Sequence, residues 1–194
     1  HAIGKAREIA MITETAMNGD IDFETALRNR VKLLAGLNIN QLIELVLEKL
    51  LITQGASTLV TTMKANGAVT ALVSGGFTVI TEIIREKLNF DLCHGNTLVV
   101  DSSIVTGDLK PPIIDGNTKA AILHQECKRL EISRDDTLAV GDGANDIPML
   151  TEASLGVGFM PKPVVKKHVS NKIEHCDLRG VLFLQGFAEN EFIT

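Results

Sequence analysis

One stretch, residues 137–150, constrains this chain more than any other. It reads Thr-Leu-Ala-Val-Gly-Asp-Gly-Ala-Asn-Asp-Ile-Pro-Met-Leu. The four uncharged residues at its start fit a short buried strand. A Gly-Asp-Gly turn at 141–143 then ends that strand, because glycines let the backbone turn tightly. Asn145 or Asp146 can cap the helix that follows, and Pro148 suits its first turn, so the stretch predicts a strand, a sharp turn and a helix.

The same stretch places two carboxylates, those of Asp142 and Asp146, just past the carboxyl end of the predicted strand. In open α/β sheets this edge is where ligands bind. Carboxylate oxygens suit Mg²⁺, which takes one or two carboxylates and completes its coordination with water and phosphate oxygens. A capped turn with two solvated acids is the alternative, and the length of the motif makes it the weaker interpretation.

Composition excludes several classes of protein. The 194 residues leave room for one sizeable domain and an accessory piece, and 45% of them are hydrophobic, so buried parallel strands are expected. The net charge of −5, the lack of a Lys/Arg cluster and the absence of Trp and Tyr argue against a nucleic-acid partner. No apolar run of spanning length and no signal peptide is visible, and three cysteines lie far apart. The histidines lack zinc-ligand spacing, so we expect a soluble cytoplasmic protein with no membrane partner.

Helical patterns fill the beginning of the chain. Residues 3–18, 23–35 and 39–51 read as amphipathic helices, and from about residue 53 the pattern changes to alternating strands and helices. We therefore expect a helical domain over residues 1–52 and an α/β domain over residues 53–194.

Arg30 stands out in the second of these helices. Its apolar stripe begins at Phe23, and Arg30 lies seven residues later, which returns it to nearly the same face. Arg28 points away from the stripe and has Glu24 four residues before it, an ordinary solvated pair. Arg30 has no such carboxylate on its own helix. It therefore needs an acid elsewhere in the fold or a ligand, and the residues alone leave both possibilities open.

A second candidate site follows another predicted strand, residues 69–73. Ser74, Gly75 and Gly76 come next, and then a helix from about Thr78 to Leu88. Backbone N–H groups and the helix dipole make such a turn a ready anion site. A plain strand-to-helix turn capped by Ser74 fits the same residues.

The rest of the chain continues the alternation. Residues 97–108 predict a hairpin, residues 155–159 a buried strand and residues 172–175 a last short strand. Lys119 begins a predicted helix that runs to about Leu130. A lone Lys at such a position usually faces solvent.

Three of these sites occur in a fixed order: Ser-Gly-Gly after one strand, Lys119 at a helix start, and Gly-Asp-Gly-Ala-Asn-Asp after another strand. The set resembles motifs two, three and four of the haloacid dehalogenase-type phosphatases. It is most similar to their phosphoserine phosphatase branch in Leu-Val-Ser-Gly-Gly-Phe-Thr, in Gly-Asp-Gly-Ala-Asn-Asp-Ile-Pro-Met, and in Phe-Glu-Thr-Ala-Leu-Arg-Asn-Arg-Val of the helical part. The likeness covers nearly the whole chain.

The resemblance implies an α/β fold, a Rossmann-like parallel sheet with a small helical cap domain. It implies Mg²⁺-dependent hydrolysis of L-phosphoserine to serine and phosphate, the last step of serine biosynthesis, so the implied partner is a small phosphomonoester. Phosphoryl transfer depends mainly on positioning and charge neutralisation, which a metal, a Lys and backbone dipoles supply.

The resemblance also implies roles for single residues around the phosphate. Ser74 and the N–H groups of Gly75 and Gly76 would hold the phosphoryl oxygens. Lys119 would neutralise phosphate charge and hold the nucleophile's carboxylate nearby. Asn145 would sit against the phosphate.

Further roles are implied for the metal and the cap. Asp142 would bind Mg²⁺ directly, and Asp146 through water or from outside the coordination shell. In the cap, Arg30 would grip the substrate carboxylate, since its fork can bind both oxygens. Met17 and Phe23 would close the apolar side of the pocket.

One motif of the family is missing from this sequence. The family uses an aspartate nucleophile in an Asp-x-Asp motif on its first strand, upstream of the cap helices. Here Asp20-Ile-Asp22 has that spacing, but it lies in a predicted turn before a helix. We expect the nucleophile strand to precede residue 1, between the strands that end at Val73 and Val140, and the chain as written to be inactive.

Two alternative functions follow from this. A non-catalytic phospho-ligand binder, whether fragment or pseudoenzyme, would keep the pocket without the nucleophile, and phosphoserine binding without turnover would favour it. The phosphorylation domain of a P-type ion pump shares the Gly-Asp-Gly-x-Asn-Asp wording. The match in the cap and the lack of a membrane span count against the pump.

Overall fold

The computed structural model describes residues 8–9, 11–12, 15 and 21–194. Strands and helices alternate through most of this part. The helices are α1 (Phe23–Lys32), α2 (Ile39–Leu47), α3 (Ala56–Ala65), α4 (Thr78–Leu88), α5 (Gly116–Leu130), α6 (Ile147–Glu152), α7 (Pro163–Lys166) and α8 (Gly180–Leu184). The strands are β1 (Ala71–Phe77), β2 (Leu92–Asp101), β3 (Ile104–Lys110), β4 (Leu138–Gly141), β5 (Leu155–Phe159) and β6 (Asn171–Ile173). Among these helices none has the length and apolar character needed to cross a membrane.

The described residues fall into two compact units, each built from segments that are distant in the sequence. The first unit takes its residues from His1–Leu50, Ser74–Glu82 and His94–Ile113. The second unit takes its residues from Leu51–Val73, Ile83–Cys93 and Ile114–Thr194.

The core of the first unit forms where α1 packs on β3. Asp22 starts the helix, because its carboxylate accepts a hydrogen bond from the Thr25 N–H at 2.9 Å. The predicted apolar stripe of α1 faces this core, whose buried members are Leu27, Val31, Leu98, Val105, Leu109 and Ile113. Burying each such side chain contributes about 1.5–3 kcal/mol, so this cluster holds the helix on the strand.

In the first sheet, β2 lies between β1 and β3. β2 and β3 pair antiparallel, with Asp101 opposite Ile104, so the predicted hairpin is confirmed. Ser102 and Ser103 form its two-residue turn and both have positive φ, as a tight hairpin of this kind requires. The predicted end of the preceding strand at Val73 is wrong, because β1 continues in extended conformation through Phe77.

The second unit contains the parallel sheet that the sequence predicts, in the order β4-β5-β6. Val140 lies opposite Val157 in its register. α6 packs so closely on β5 that a side chain on Gly156 would collide with the carbonyl oxygen of Leu150. Because the strands are parallel, their carboxyl ends meet at one edge of the sheet, and the residues that follow β4 lie at that edge.

Candidate active site

The turn after β4 is built around Asp146. The chain leaves β4 at Gly141 and enters a short 3-10 helix, Ala144–Asp146, directly before α6. Asp146 Oδ2 accepts hydrogen bonds from the backbone N–H groups of Asp142, at 3.1 Å, and Gly143, at 3.0 Å. A Cβ on Gly141 would lie only 2.5 Å from the Cβ of Asp146. Glycine at 141 therefore lets the Asp146 side chain fold back against the end of the strand.

Lys119 completes this arrangement from α5. Its Nζ lies 2.6 Å from Asp146 Oδ1, and the two residues are only 4% and 7% exposed. Removing two charges from water is costly unless the pair is close and its remaining groups are hydrogen-bonded. Here the carboxylate receives one ammonium proton and two backbone N–H groups, so it is held in a single position. Lys119 is thus not the surface Lys that its position in the sequence most often indicates.

Asp142, in contrast, has an exposed side chain. Within the described residues its carboxylate makes no hydrogen bond or ion pair that would occupy its oxygens. Its backbone is fixed, because its carbonyl accepts a hydrogen bond from the Lys162 N–H at 2.9 Å. The turn therefore presents one free carboxylate from a rigid backbone at the carboxyl edge of the parallel sheet.

These two carboxylates fit the oxygen chemistry of Mg²⁺. Among the described residues no group of three or more His, Cys, Asp and Glu side chains converges as a metal cluster. Mg²⁺ needs no such cluster, since one or two carboxylates are its usual protein ligands. The oxygens of Asp142 are unoccupied, whereas both oxygens of Asp146 already accept hydrogen bonds. The direct role of Asp142 and the indirect role of Asp146 toward a metal stay predictions.

The neighbouring Asn145 lies in the same 3-10 helix and is half-buried. Its side-chain oxygen lies over Gly143, where an added Cβ would come within 2.7 Å of it. The structure thus brings together Lys119, Asp142, Asn145 and Asp146 within the second unit. Their roles toward a ligand stay predictions.

Ser74, Gly75 and Gly76 belong to the first unit and to the last part of β1. The Oγ of Ser74 accepts a hydrogen bond from the Gly76 N–H at 3.0 Å. The carbonyl of Gly75 accepts one from Nδ2 of Asn96 at 2.9 Å. Gly76 is exposed and Ser74 is half-buried, so an anion can reach the Ser74 hydroxyl, and it would have to replace the internal hydrogen bond to receive the Gly76 N–H.

Arg30 and Phe23 also lie in the first unit. Phe23 packs against its core, and Arg30 is half-buried. The Nε atom of Arg30 is buried and has no hydrogen-bond partner among the described residues. Arg28 forms the predicted pair with Glu24, with its Nη2 atom 2.6 Å from Oε1 of Glu24. Met17, the remaining predicted pocket residue, lies outside the described residues.

Sequence reasoning missed two residues that hold this machinery in place. Asp115 caps the N-terminus of α5, one turn before Lys119, by accepting a hydrogen bond from the Thr118 N–H at 2.7 Å. An Asp three residues before a Thr at a helix start is a capping signal that could have been found. Asn96 has no such signal, because the sequence does not show which polar residue of a strand points into the protein interior.

A cleft of about 620 Å³ in the second unit contains none of the predicted site residues. Aromatic side chains such as Phe159, Phe183 and Phe192 line it. It is therefore separate from the turn at residues 141–146, which we call the Asp142 turn.

Comparison with known proteins agrees with the motifs. The model of the haloacid dehalogenase-like hydrolase family matches residues 2–151. A probable phosphoserine phosphatase of Schizosaccharomyces pombe is 39% identical over 190 residues, which are 97% of this chain and 63% of that relative. The phosphoserine phosphatase of Methanocaldococcus jannaschii is 40% identical over 179 residues, 92% of this chain and 84% of that relative.

A solved structure described as a phospho-aspartyl intermediate analogue of phosphoserine phosphatase shares the fold. Its TM-score is 0.84 at 39% identity, and the match covers 92% of this chain and 85% of that one. The predicted α/β fold class is thereby confirmed. This chain spans less than two thirds of the S. pombe relative and most of the M. jannaschii one. The chain therefore belongs to the haloacid dehalogenase-like hydrolase family, in which these relatives are named phosphoserine phosphatases.

Proposed function

We propose that this chain supplies the phosphate, metal and substrate contacts of a Mg²⁺-dependent phosphomonoester hydrolase that acts on L-phosphoserine. One observation carries the proposal. The turn after β4 offers the exposed carboxylate of Asp142 directly beside the buried pair of Lys119 and Asp146. A surface turn with two solvated acids would have neither the buried Lys nor the fixed second carboxylate.

The buried pair sets the electrostatics of this turn. Asp146 balances the charge of Lys119 in a site with little water, where charges interact more strongly than in bulk solvent. Only one of the three protons of the ammonium group is needed for the 2.6 Å contact with Asp146. We propose that another proton of Lys119 binds a phosphoryl oxygen, with Asn145 beside it.

Asp142 would hold Mg²⁺ directly and Asp146 would act through water. When bound, the metal neutralises negative charge on the phosphoryl oxygens. Ser74 and the N–H groups of Gly75 and Gly76, which we call the phosphate cradle, would bind these oxygens as well. Donors already fixed before the ligand arrives lose little free energy in reorganisation, which is what phosphoryl transfer requires of a protein.

Arg30 would select a substrate with a free carboxylate. Its buried Nε lacks a partner, and an unsatisfied buried donor is costly, so the side chain needs an acceptor that a bound ligand can supply. A carboxylate matches the planar guanidinium group with two parallel hydrogen bonds. Phe23 and Met17 would form the apolar side of this pocket.

Calorimetric binding of phosphoserine and of phosphoethanolamine, which lacks the carboxylate, tests this assignment. Arg30→Ala should weaken phosphoserine binding by about 1.5–3 kcal/mol, the usual contribution of a hydrogen bond to a charged group, and leave phosphoethanolamine binding almost unchanged. Arg28→Ala is the matched control, because Arg28 lies on the same helix and already pairs with Glu24. Equal losses for both ligands in Arg30→Ala would show that Arg30 has a structural role only.

A second candidate function is phospho-ligand binding without turnover. The observation that favours it is that none of the described strands carries two Asp residues separated by one residue. Asp22 has the right spacing from Asp20, but Asp22 serves as the cap of α1. We propose that residues 1–194 alone bind phosphoserine and lack the attacking carboxylate.

We also propose that residues 1–52 act as the cap over a core formed by residues 53–194, and that the protein works in the cytoplasm. Three cysteines without disulfide bonds, Cys93, Cys127 and Cys176, support a reducing compartment. A closing cap would exclude water from a small substrate.

A further inference from the structure

Asn96, in the middle of β2, is a polar residue with no exposed surface. We infer that Asn96 is a positioning residue that aims the phosphate cradle at its ligand. The inference rests on the proposed function, since it assumes that Ser74, Gly75 and Gly76 bind phosphate. Being fully buried, Asn96 acts through the cradle and not by touching the ligand.

The geometry of one peptide group carries the inference. Nδ2 of Asn96 donates a hydrogen bond to the Gly75 carbonyl oxygen at 2.9 Å. In a trans peptide the carbonyl of Gly75 and the N–H of Gly76 point in opposite directions. Fixing the carbonyl toward Asn96 therefore fixes the Gly76 N–H toward the other side. That N–H points at the Ser74 hydroxyl, 3.0 Å away, which is the other proposed phosphate donor.

The orientation of this peptide group must be fixed by a neighbour because both of its residues are glycines. Gly75 and Gly76 lack a Cβ, so their peptide group can rotate between orientations that other residues do not allow. In one such orientation the carbonyl, with its partial negative charge, would face the phosphate and repel it. The hydrogen bond from Asn96 selects the orientation in which the N–H lies on the side of the Ser74 hydroxyl, where it can donate to that hydroxyl or to a phosphoryl oxygen that replaces it.

The neighbours of Asn96 bring β2 close enough for this contact. A Cβ on Gly95 would lie 2.9 Å from Thr81 Oγ1, 3.0 Å from the Thr78 nitrogen and 3.2 Å from the Gly76 oxygen, so a larger residue would push the two segments apart. The Thr78 hydroxyl donates to the Gly95 carbonyl at 3.1 Å. Thr97 makes a further hydrogen bond with the same hydroxyl at 3.0 Å, and its loss would leave the contact between Thr78 and Gly95 in place. The segment of β2 on both sides of Asn96 is thereby attached to the residues that follow the cradle.

A binding experiment with inorganic phosphate in the presence of Mg²⁺ tests the inference. Asn96→Leu keeps nearly the same shape without the donor, and Asn96→Ala serves as a second variant if the leucine variant does not fold. Thr97→Val is the matched control, because it removes a hydrogen bond of the same strand that does not reach the cradle. Calorimetry gives the affinity, urea unfolding gives the stability, and ¹⁵N-glycine labelling reports the Gly76 amide resonance.

We expect Asn96→Leu to weaken phosphate binding about tenfold or more, the effect of misdirecting one hydrogen bond to a charged group, and to abolish the phosphate-induced shift of the Gly76 resonance. Thr97→Val should change the affinity for phosphate less than about twofold, even if it lowers the free energy of unfolding as much as Asn96→Leu does. If phosphate shifts the Gly76 amide resonance equally in the wild type and in the Asn96 variants, the positioning role of Asn96 is wrong, whereas phosphate binding by the cradle is supported. If phosphate does not shift Gly76 in the wild type, the proposed cradle itself is wrong, and the inference is lost with it.

Discussion

Asp146 shows how one side chain can depend on the absence of another. Its carboxylate lies against the end of β4 and receives Lys119 on one oxygen and two backbone N–H groups on the other. This position is accessible only because residue 141 has no side chain. The acid that the sequence predicts as a ligand is therefore placed by a glycine, through the side chain that this glycine lacks.

Gly141→Ala should accordingly be more harmful than the same change at Gly143. The new Cβ at 141 would lie 2.5 Å from the Asp146 Cβ, so Asp146 or the strand must move. Crowding of this kind costs about 1–3 kcal/mol, and it separates a buried ion pair in addition. Urea unfolding of both variants gives the difference in free energy of unfolding.

Gly143→Ala is the control because its Cβ would meet the side-chain end of Asn145 at 2.7 Å, and that amide can rotate away. The φ of Gly143, −111°, also suits alanine. We expect this variant to lose less than half as much stability as Gly141→Ala. Equal losses would mean that Asp146 is not held by its packing on residue 141.

At the scale of the helix, Asp115 connects a sequence signal to the site. It caps α5, and Lys119 follows in the first turn of that helix. Hydrogen bonds from the Thr118 backbone N–H and then from the Thr118 side chain lower the pKa of Asp115 below its ordinary value of 3.8, although partial burial opposes them. A carboxyl group whose pKa is lower in the folded state stabilises the fold while it is ionised.

Asp115→Ala should therefore lower the free energy of unfolding at neutral pH by about 1 kcal/mol, the typical effect of losing a helix cap. The stabilisation from the ionised cap is fully present above pH 3.8 and disappears as the pH falls through the lower folded-state pKa. The difference in free energy of unfolding between wild type and Asp115→Ala should thus stay constant well above pH 3.8 and narrow as the pH falls below that value. Urea unfolding over this range measures it.

Asp115→Asn separates the cap from the charge, since Asn also caps helices but does not titrate. This variant should retain most of the stability at neutral pH and lose less of it in acid than the wild type. If the difference in free energy of unfolding between wild type and Asp115→Ala stays constant down to the lowest pH measured, the ionised carboxylate does not have this role.

Local pattern was sufficient to predict several elements. α4 and β5 have the predicted ends, because a run of uncharged residues between turn residues specifies a short buried strand and helical spacing specifies the helix. The hairpin was predicted too, although its strands extend further in both directions than residues 97–108.

Other features depended on contacts that no local pattern contains. The Ser-Gly-Gly residues were predicted as a turn after the strand, yet they stay extended because β2 runs beside them and Asn96 binds Gly75. The burial of Lys119 depends on Asp146, a residue 27 positions later. Site residue types could therefore be predicted from motifs, whereas the hydrogen bonds that orient them could not.

For the whole molecule, the folded units combine distant segments. β1, β2 and α4 each contribute residues to both compact units. The Arg30 guanidinium and the phosphate cradle belong to the first unit, and the Asp142 turn belongs to the second. The residues proposed for one reaction are thus distributed over two units that each have their own core.

The last prediction concerns the attacking group: residues 1–194 should bind phosphoserine in the presence of Mg²⁺ without hydrolysing it at an enzymatic rate. Covalent phosphatase chemistry needs a positioned carboxylate that attacks phosphorus. Of the site acids, Asp146 is committed to Lys119, Asp142 is proposed for the metal, and Asp22 caps α1. Water can still attack, but without a positioned nucleophile most of the rate advantage is lost. Phosphate release by residues 1–194 and by the longest natural form of the chain should be compared at equal occupancy. Equal Mg²⁺-dependent turnover by both would show that the attacking group lies within residues 1–194.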